Sequence, residues 1–264
     1  MRSKTEWKAL LAAAQAGSPD AQFIVGCAYG EGAKSPSGSV VVQRDRARAA
    51  EWMERAARAG DPSAMHNIGY YYDRGVGVRK NPSRALFWYR AVWRKHGYES
   101  AANNIASIYR DRKDDRRAFV WYRKAADAGD GDAIVEVAVR YLRGRGVRRD
   151  PKRGVELLRR AIRSSRITES GRDDAKDQLG LCYLRGIGVR MSVARARQWL
   201  TDANRAGDHP AAVKAIASLQ QASWRSLVQR ATVSGRTSMV PPGTRRPGTR
   251  QSLRPSRPSR RPAP

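Results

Sequence analysis

Apolar residues recur along the chain at a spacing that predicts five copies of one amphipathic helix, called helix A. In each copy an alanine is followed four residues later by an apolar residue and eight residues later by a tyrosine. Positions i, i+4 and i+8 lie on one face of an α-helix, so these residues form the buried stripe of helix A. The five triplets are Ala21, Val25 and Tyr29; Ala64, Ile68 and Tyr72; Ala101, Ile105 and Tyr109; Ala133, Val137 and Tyr141; and Ala175, Leu179 and Tyr183.

A small residue follows the middle position of every triplet. Because glycine inside a helix costs about 1 kcal/mol relative to alanine, its recurrence predicts that a neighbouring helix approaches closely there. These residues are Gly26, Gly69, Ala106, Ala138 and Gly180. Three copies of helix A are then followed by Gly-x-Gly-Val, at 75–78, 144–147 and 186–189. Here glycine ends the helix with a positive φ, and valine anchors the loop on the core.

A second helix, helix B, follows each helix A. Its pattern is a small residue, a bulky apolar residue three positions later and another small or apolar residue four further on, as in Ala118, Trp121 and Ala125. Asn81-Pro82 and Asp150-Pro151 place a capping residue and a first-turn proline ahead of two copies. The bulky Trp and Tyr side chains are predicted to fill the space that the small residues of helix A leave open.

Together these strings resemble the Sel1-like repeat, a relative of the tetratricopeptide repeat. The resemblance rests on IGYYYDRGVGV at 68–78, LGLCYLRGIGV at 179–189 and WYRKAADAG at 121–129, and it covers roughly residues 4–219. It implies a right-handed superhelix with the A helices on the concave side, used as an adaptor or scaffold in protein complexes. The predicted fold is therefore all-α, a right-handed α-solenoid of tandem helix-turn-helix repeats with a disordered C-terminal tail.

Several segments depart from the repeat. They are a lone helix B at 7–17, an insertion at 34–42, a third loop without glycine at 112–115, a longer turn at 164–174 and a terminal helix at 222–233. We expect the two terminal helices to cap the array. The predicted domains are a solenoid at 1–233 and a disordered tail at 234–264, where eight arginines and no acidic residue occur.

The net charge of +28 predicts attraction to anionic surfaces such as nucleic acid, acidic protein or anionic lipid. A preference for arginine over lysine is also what a GC-rich genome produces on any protein surface, so both explanations stay open. The tail contains Pro255-Ser256-Arg257-Pro258, which fits a PxxP ligand but is weak evidence in so Pro-rich a segment.

The sequence offers little for catalysis. The histidines His66, His96 and His209 have no metal-ligand spacing, and Cys27 and Cys182 lie far apart inside helical patterns. We therefore predict no enzyme activity, no cofactor, no metal and no disulfide. Neither a signal peptide nor a membrane-spanning stretch is readable, which predicts a cytoplasmic location.

The helical phase also predicts which side chains could meet a partner. At about 100° per residue, steps 2, 3, 6 and 10 of helix A point away from its buried stripe. The candidate groove residues are His66, Asn67, Tyr70, Arg74, Asn103, Asn104, Ser107, Arg143, Asp177, Gln178 and Arg185. The alternative for each is an ordinary polar helix face. A candidate basic patch comprises Arg145, Arg148, Arg149, Lys152, Arg153, Arg159 and Arg160.

These observations lead to two functional hypotheses. The first is a non-catalytic scaffold that binds a protein or peptide through the concave groove. The alternative is a binder of nucleic acid or another polyanion through the basic surface and the tail, with affinity that falls steeply as salt rises.

Overall fold

The computed structural model describes residues 3–205, 213–218 and 221. The A helices are α2 (Pro19–Glu31), α4 (Pro62–Arg74), α6 (Glu99–Asp111), α8 (Gly131–Arg143) and α10 (Glu169–Arg185). The B helices are α1 (Lys4–Gln15), α3 (Arg46–Arg58), α5 (Pro82–His96), α7 (Asp115–Asp127), α9 (Pro151–Ile162) and α11 (Val193–Ala203). The five predicted A–B pairs are confirmed, with α1 preceding them as a lone helix B.

The helices alternate A and B, and each packs against the next along the chain. A continuous core runs from Ala50 in α3 to Ala196 in α11, while α1 and α2 bury a smaller cluster around Val25. The eleven helices named above belong to one compact unit that ends at Ile216. This is the architecture of a solenoid, in which each repeat buries its apolar face against its neighbours.

Side-chain caps begin every helix B of the five pairs. Each capping side chain accepts a hydrogen bond from the backbone N–H three residues later, and that residue is an arginine every time. The capping residue and the arginine are Asp45 and Arg48, Asn81 and Arg84, Asp114 and Arg117, Asp150 and Arg153, and Ser192 and Arg195. The caps satisfy N–H groups that the first turn of a helix leaves without a partner.

The same five arginines stack on the tyrosines of helix A, a feature that the sequence pattern contained and our prediction missed. The guanidinium carbon lies 4.8–5.7 Å from the ring centroid in all five pairs. The pairs are Arg48 on Tyr29, Arg84 on Tyr72, Arg117 on Tyr109, Arg153 on Tyr141 and Arg195 on Tyr183. Each stack joins the end of helix A to the start of helix B through a cation–π contact.

The small residues of helix A do permit close approach. A Cβ added at Gly69 would lie 2.8 Å from the ring of Tyr89, and one added at Gly180 would lie 2.7 Å from Cγ of Leu200. The side chain that packs against the small residue of helix A lies four residues after the first small residue of helix B. It is therefore Met53, Tyr89 or Leu200 rather than the tryptophan one position earlier, which corrects part of the prediction.

The second glycine of Gly-x-Gly-Val has a packing role beyond ending the helix. Gly77, Gly146 and Gly188 all have φ between 67° and 70°. A Cβ on any of them would overlap a backbone carbonyl oxygen in the first turn of the preceding helix B, at Arg46, Asp115 or Pro151 respectively. Each loop thus fits against the backbone of the repeat before it, and glycine is required by both conformation and space.

Three departures from the repeat take defined forms. The first insertion forms a two-stranded antiparallel hairpin, β1 (Ala33–Lys34) with β2 (Val40–Val42), so the all-α prediction has this one exception among the described residues. In the third loop Lys113 takes the left-handed conformation (φ 60°) that glycine holds elsewhere. The longer fourth turn adds residues to α10, which has 17 residues where the other A helices have 13.

The remaining predictions for the C-terminal part lie outside the described residues. They concern the terminal helix at 222–233, the tail at 234–264 and the domain boundary between residues 233 and 234. That boundary stays a prediction.

Candidate functional site

The A helices of the third, fourth and fifth pairs together form a cleft of about 290 Å³. Asn103, Ser107 and Arg110 of α6 line one side, and Asp132, Val135 and Glu136 of α8 line the other. The Tyr122 side chain of α7 reaches the cleft between them, and Thr168, Ser170, Gly171 and Asp174 close its end. We call this feature the A-face cleft.

The polar side chains of the A-face cleft are held by one another. Ser107 Oγ and Arg110 Nη1 each lie 3.2 Å from the hydroxyl of Tyr122. Arg110 also pairs with Glu136 at 3.6 Å. These contacts already restrict the side chains. The side chains therefore have less conformational entropy to lose when a ligand binds.

The longer fourth turn closes the cleft. Thr168, the N-cap of α10, donates its hydroxyl to Asp132 Oδ1 at 2.8 Å. The carbonyl oxygen of Arg166 accepts the backbone N–H of Gly131 at the start of α8. The sequence marked this turn only as a departure in length, and nothing in its composition indicated that it borders a cleft.

Of the predicted groove residues, the structure brings Asn103 and Ser107 together in the cleft and joins Asn104 to His66. The amide nitrogen of Asn104 lies 3.2 Å from His66 Nε2, linking the second and third A helices. Tyr70 is open to a partner, with 45% of its surface exposed. Asn67 and Gln178 are half-buried.

The other predicted groove residues are placed differently. Arg74, Arg143 and Arg185 are the exposed last residues of their helices, where a cation also interacts favourably with the helix C-terminus. Asp177 is only 2% exposed, so it does not present a carboxylate on the surface. Val135, its equivalent in α8, is also buried at the wall of the A-face cleft, so neighbouring elements cover this position in the last two pairs.

The predicted basic patch is exposed in the loop between α8 and α9 and along α9. Part of its charge has a structural role. Arg149 donates to the carbonyl oxygen of Leu142 at 3.0 Å, Arg159 donates to the hydroxyl of Tyr183 at 2.9 Å, and Arg153 is stacked as described above.

Burial lowers the pKa of His66, and a hydrogen bond with the Asn67 side chain partly offsets that effect. Protonation of Nε2 would also place two donors face to face at Asn104. We expect the imidazole to titrate below the unfolded value of about 6.5. The stability that neutral His66 contributes is present above that pH and is lost as the pH falls through the folded pKa. An NMR pH titration, with the resonance assigned from His66→Gln, checks this, and a midpoint at 6.5 or higher contradicts it.

Cys27 is half-buried and Cys182 is buried, and both thiols are free. Desolvation raises the pKa of Cys182 to about 11. A thiol with so high a pKa is a poor nucleophile near neutral pH.

Two features are absent from the described residues. Among them, no group of three or more His, Cys, Asp and Glu side chains is arranged to hold a metal ion. No helix in this part of the chain is both long and apolar enough to cross a membrane.

The chain has partial relatives among curated proteins. The chain is 30% identical over 100 residues to the ERAD-associated E3 ubiquitin-protein ligase component HRD3B of Arabidopsis thaliana, a match that spans 37% of this chain and 16% of that protein. It is 40% identical over 47 residues to the chitin synthase regulator SKT5 of Saccharomyces cerevisiae, across 18% of this chain and 7% of the relative. The chain thus spans less than a fifth of either relative.

Solved structures share the fold over a longer stretch. A Sel1 repeat protein from Oxalobacter formigenes superposes with a TM-score of 0.62 at 28% identity, covering 74% of this chain and 76% of that one. The antigen c5321 of uropathogenic Escherichia coli, described as displaying an SLR fold, gives a TM-score of 0.61 at 24% identity, over 89% of this chain and 52% of that one.

The profile of the Sel1 repeat matches five segments that follow the helix pairs. The matched segments are residues 19–61, 62–91, 99–130, 131–165 and 174–208. They cover more than half of the chain and coincide with the repeats described above, so this protein belongs to the Sel1 repeat family.

Proposed function

We propose that this protein is a non-catalytic scaffold that binds a protein or peptide along its A helices, with the A-face cleft as the central contact. The cleft is the observation that carries the proposal. It spans three consecutive repeats and is lined by an amide, hydroxyls, a guanidinium and carboxylates, which can meet both a peptide backbone and its side chains. Because these groups already hold one another, little side-chain entropy remains to be lost on binding.

The relatives support the same class of function. One is named as a component of a ubiquitin ligase and the other as a regulator of chitin synthase. Both names describe a protein that acts together with an enzyme. The partner of the present chain, its cytoplasmic location and the alternative of polyanion binding stay predictions.

Two exposed aromatic residues provide a matched test of the binding face. Tyr70 lies on the A helix α4, and Phe87, which is 60% exposed, lies on the B helix α5. We expect a photo-crosslinking phenylalanine analogue at position 70 to capture a partner that the same analogue at position 87 does not. Mass spectrometry of the crosslinked species identifies the partner. Capture at position 87 alone would place the interface on the B helices.

Affinity for the purified partner then tests the face of the A helices, with Tyr70 outside the cleft and Ser107 inside it. The double variant Tyr70→Ala with Ser107→Ala should bind at least about tenfold more weakly, since a truncated aromatic contact commonly costs more than 1 kcal/mol. Phe87→Ala should bind as the wild type does. Titration calorimetry measures both variants, and equal affinities for wild type and double variant would exclude both positions from the interface.

A further inference from the structure

A second cavity, of about 540 Å³, lies at the turn between α4 and α5 and away from the A-face cleft. Three of the residues that line it are cationic: Arg79, Lys80 and Arg84. The other residues that line it are uncharged, and they include Tyr72 and Asn81. The cavity therefore presents three positive charges and no carboxylate.

One of these cations is held rigidly. Arg84 stacks on Tyr72, with 5.1 Å between the guanidinium carbon and the ring centroid, and donates to the Tyr72 hydroxyl at 2.6 Å. That hydroxyl donates in turn to Glu54 at 2.8 Å. The carboxylate of Glu54 is paired with Arg58 at 2.8 Å and also acts electrostatically on Arg84, so Arg58 offsets part of its charge.

The first, third and fourth pairs differ from the second in that their cap is an aspartate, whereas the fifth pair is capped by the uncharged Ser192. In the first pair, the cap Asp45 forms an ion pair with the stacked Arg48 at 3.3 Å, inside a similar cavity of about 350 Å³. In the third pair, Asp114 does the same for Arg117 at 3.4 Å. The second pair is capped by Asn81, which carries no charge.

Asn81 caps α5 without neutralising the cavity. Its side-chain oxygen accepts the backbone N–H groups of Ser83 and Arg84, both at 3.1 Å. These N–H groups are thus occupied, and an anion in the cavity would depend on the three cationic side chains rather than on the helix N-terminus.

We propose that this cavity binds a phosphate group, either free inorganic phosphate or the monoester of a phosphorylated side chain. A phosphomonoester carries a charge of about −1.5 to −2 at pH 7 and presents three acceptor oxygens. The planar guanidinium groups of Arg79 and Arg84 match those oxygens in pairs, and Lys80 adds a point charge. The site is independent of the proposed peptide-binding cleft.

The test uses the full chain at pH 7.5 and constant ionic strength. Inorganic phosphate, a short phosphoserine peptide and its unphosphorylated form are titrated separately by NMR or calorimetry. Similar affinity for inorganic phosphate and the phosphopeptide indicates the free ion as ligand. Phosphopeptide binding about tenfold tighter than both other probes indicates a phosphorylated side chain. Absence of binding by both phosphate-containing probes overturns the proposal.

Asn81→Asp locates the site while keeping a good helix cap. It reproduces the arrangement of the first and third pairs and should weaken binding by about tenfold or more, since like charges oppose each other in a binding site. Gln198→Asp on the exposed surface of α11 introduces the same charge elsewhere and should leave binding unchanged. Arg148→Gln, at the loop position equivalent to Arg79, should also leave it unchanged. Equal losses in Asn81→Asp and either control would show general charge attraction and overturn the assignment.

Discussion

Replacing Gly146 with alanine is expected to destabilise the fold by about 3 kcal/mol or more. Gly146 has φ 70°, and a Cβ there would overlap the carbonyl oxygen of Asp115 at the start of α7. Neither backbone segment can rotate away as a side chain would, so the loop or the preceding helix must shift. For a unit of this size the loss corresponds to a fall in Tm of about 6 °C or more, measurable by circular dichroism or calorimetry.

Gly97→Ala supplies the matched control. Gly97 has nearly the same φ, 66°, but no atom lies within 4 Å of the position its Cβ would occupy. Its replacement should cost only the backbone penalty of a left-handed conformation, about 1–2 kcal/mol. The difference between the two variants measures the close approach of loop and helix, and equal losses would show that conformation alone explains the glycine.

The second large effect is expected at the Arg140–Asp115 pair. Arg140 is only 3% exposed, and its Nη1 donates to Asp115 Oδ1 at 2.9 Å. Its guanidinium carbon lies 4.9 Å from the centroid of the Tyr122 ring. Asp115→Asn keeps the size of the side chain but leaves a buried cation without its carboxylate. We expect a loss of about 2 kcal/mol, below the range for fully buried pairs because Asp115 is partly exposed.

Arg140→Met distinguishes the charge from the packing. Methionine replaces much of the buried volume and removes the desolvated charge together with the need for a partner. It should therefore be less destabilising than Asp115→Asn, as judged by urea unfolding of both variants. A larger loss in Arg140→Met would mean that the cation stabilises the array beyond its ion pair, through Tyr122.

The repeat was predictable from the sequence because its determinants are local. A tyrosine eight residues after an alanine, a small residue at the fifth step and a loop glycine all follow from helix geometry, and each lies where the pattern placed it. The Arg84–Tyr72 stack and its four equivalents were also present in the sequence, since an arginine precedes the first small residue of every helix B.

Other features depended on contacts between repeats. Asp177 satisfies the phase rule for an outward residue, yet it is buried, because phase along one helix does not reveal which neighbouring element covers that face. The A-face cleft needs Arg110 and Tyr122 from the two helices of the third pair and Thr168 from the turn before α10, and their approach follows from the stacking. The tandem fold could thus be predicted, while the cleft required the structure.

The contact between each Gly-x-Gly-Val loop and the preceding helix B is made by main-chain atoms. The stacking of one repeat on another at these points therefore depends on glycine and on a carbonyl group that every residue possesses. The surrounding side chains can change without altering this contact between loop and helix. Such a contact lets repeats of one architecture acquire different binding surfaces, in keeping with a fold shared at 28% identity with the Oxalobacter formigenes protein.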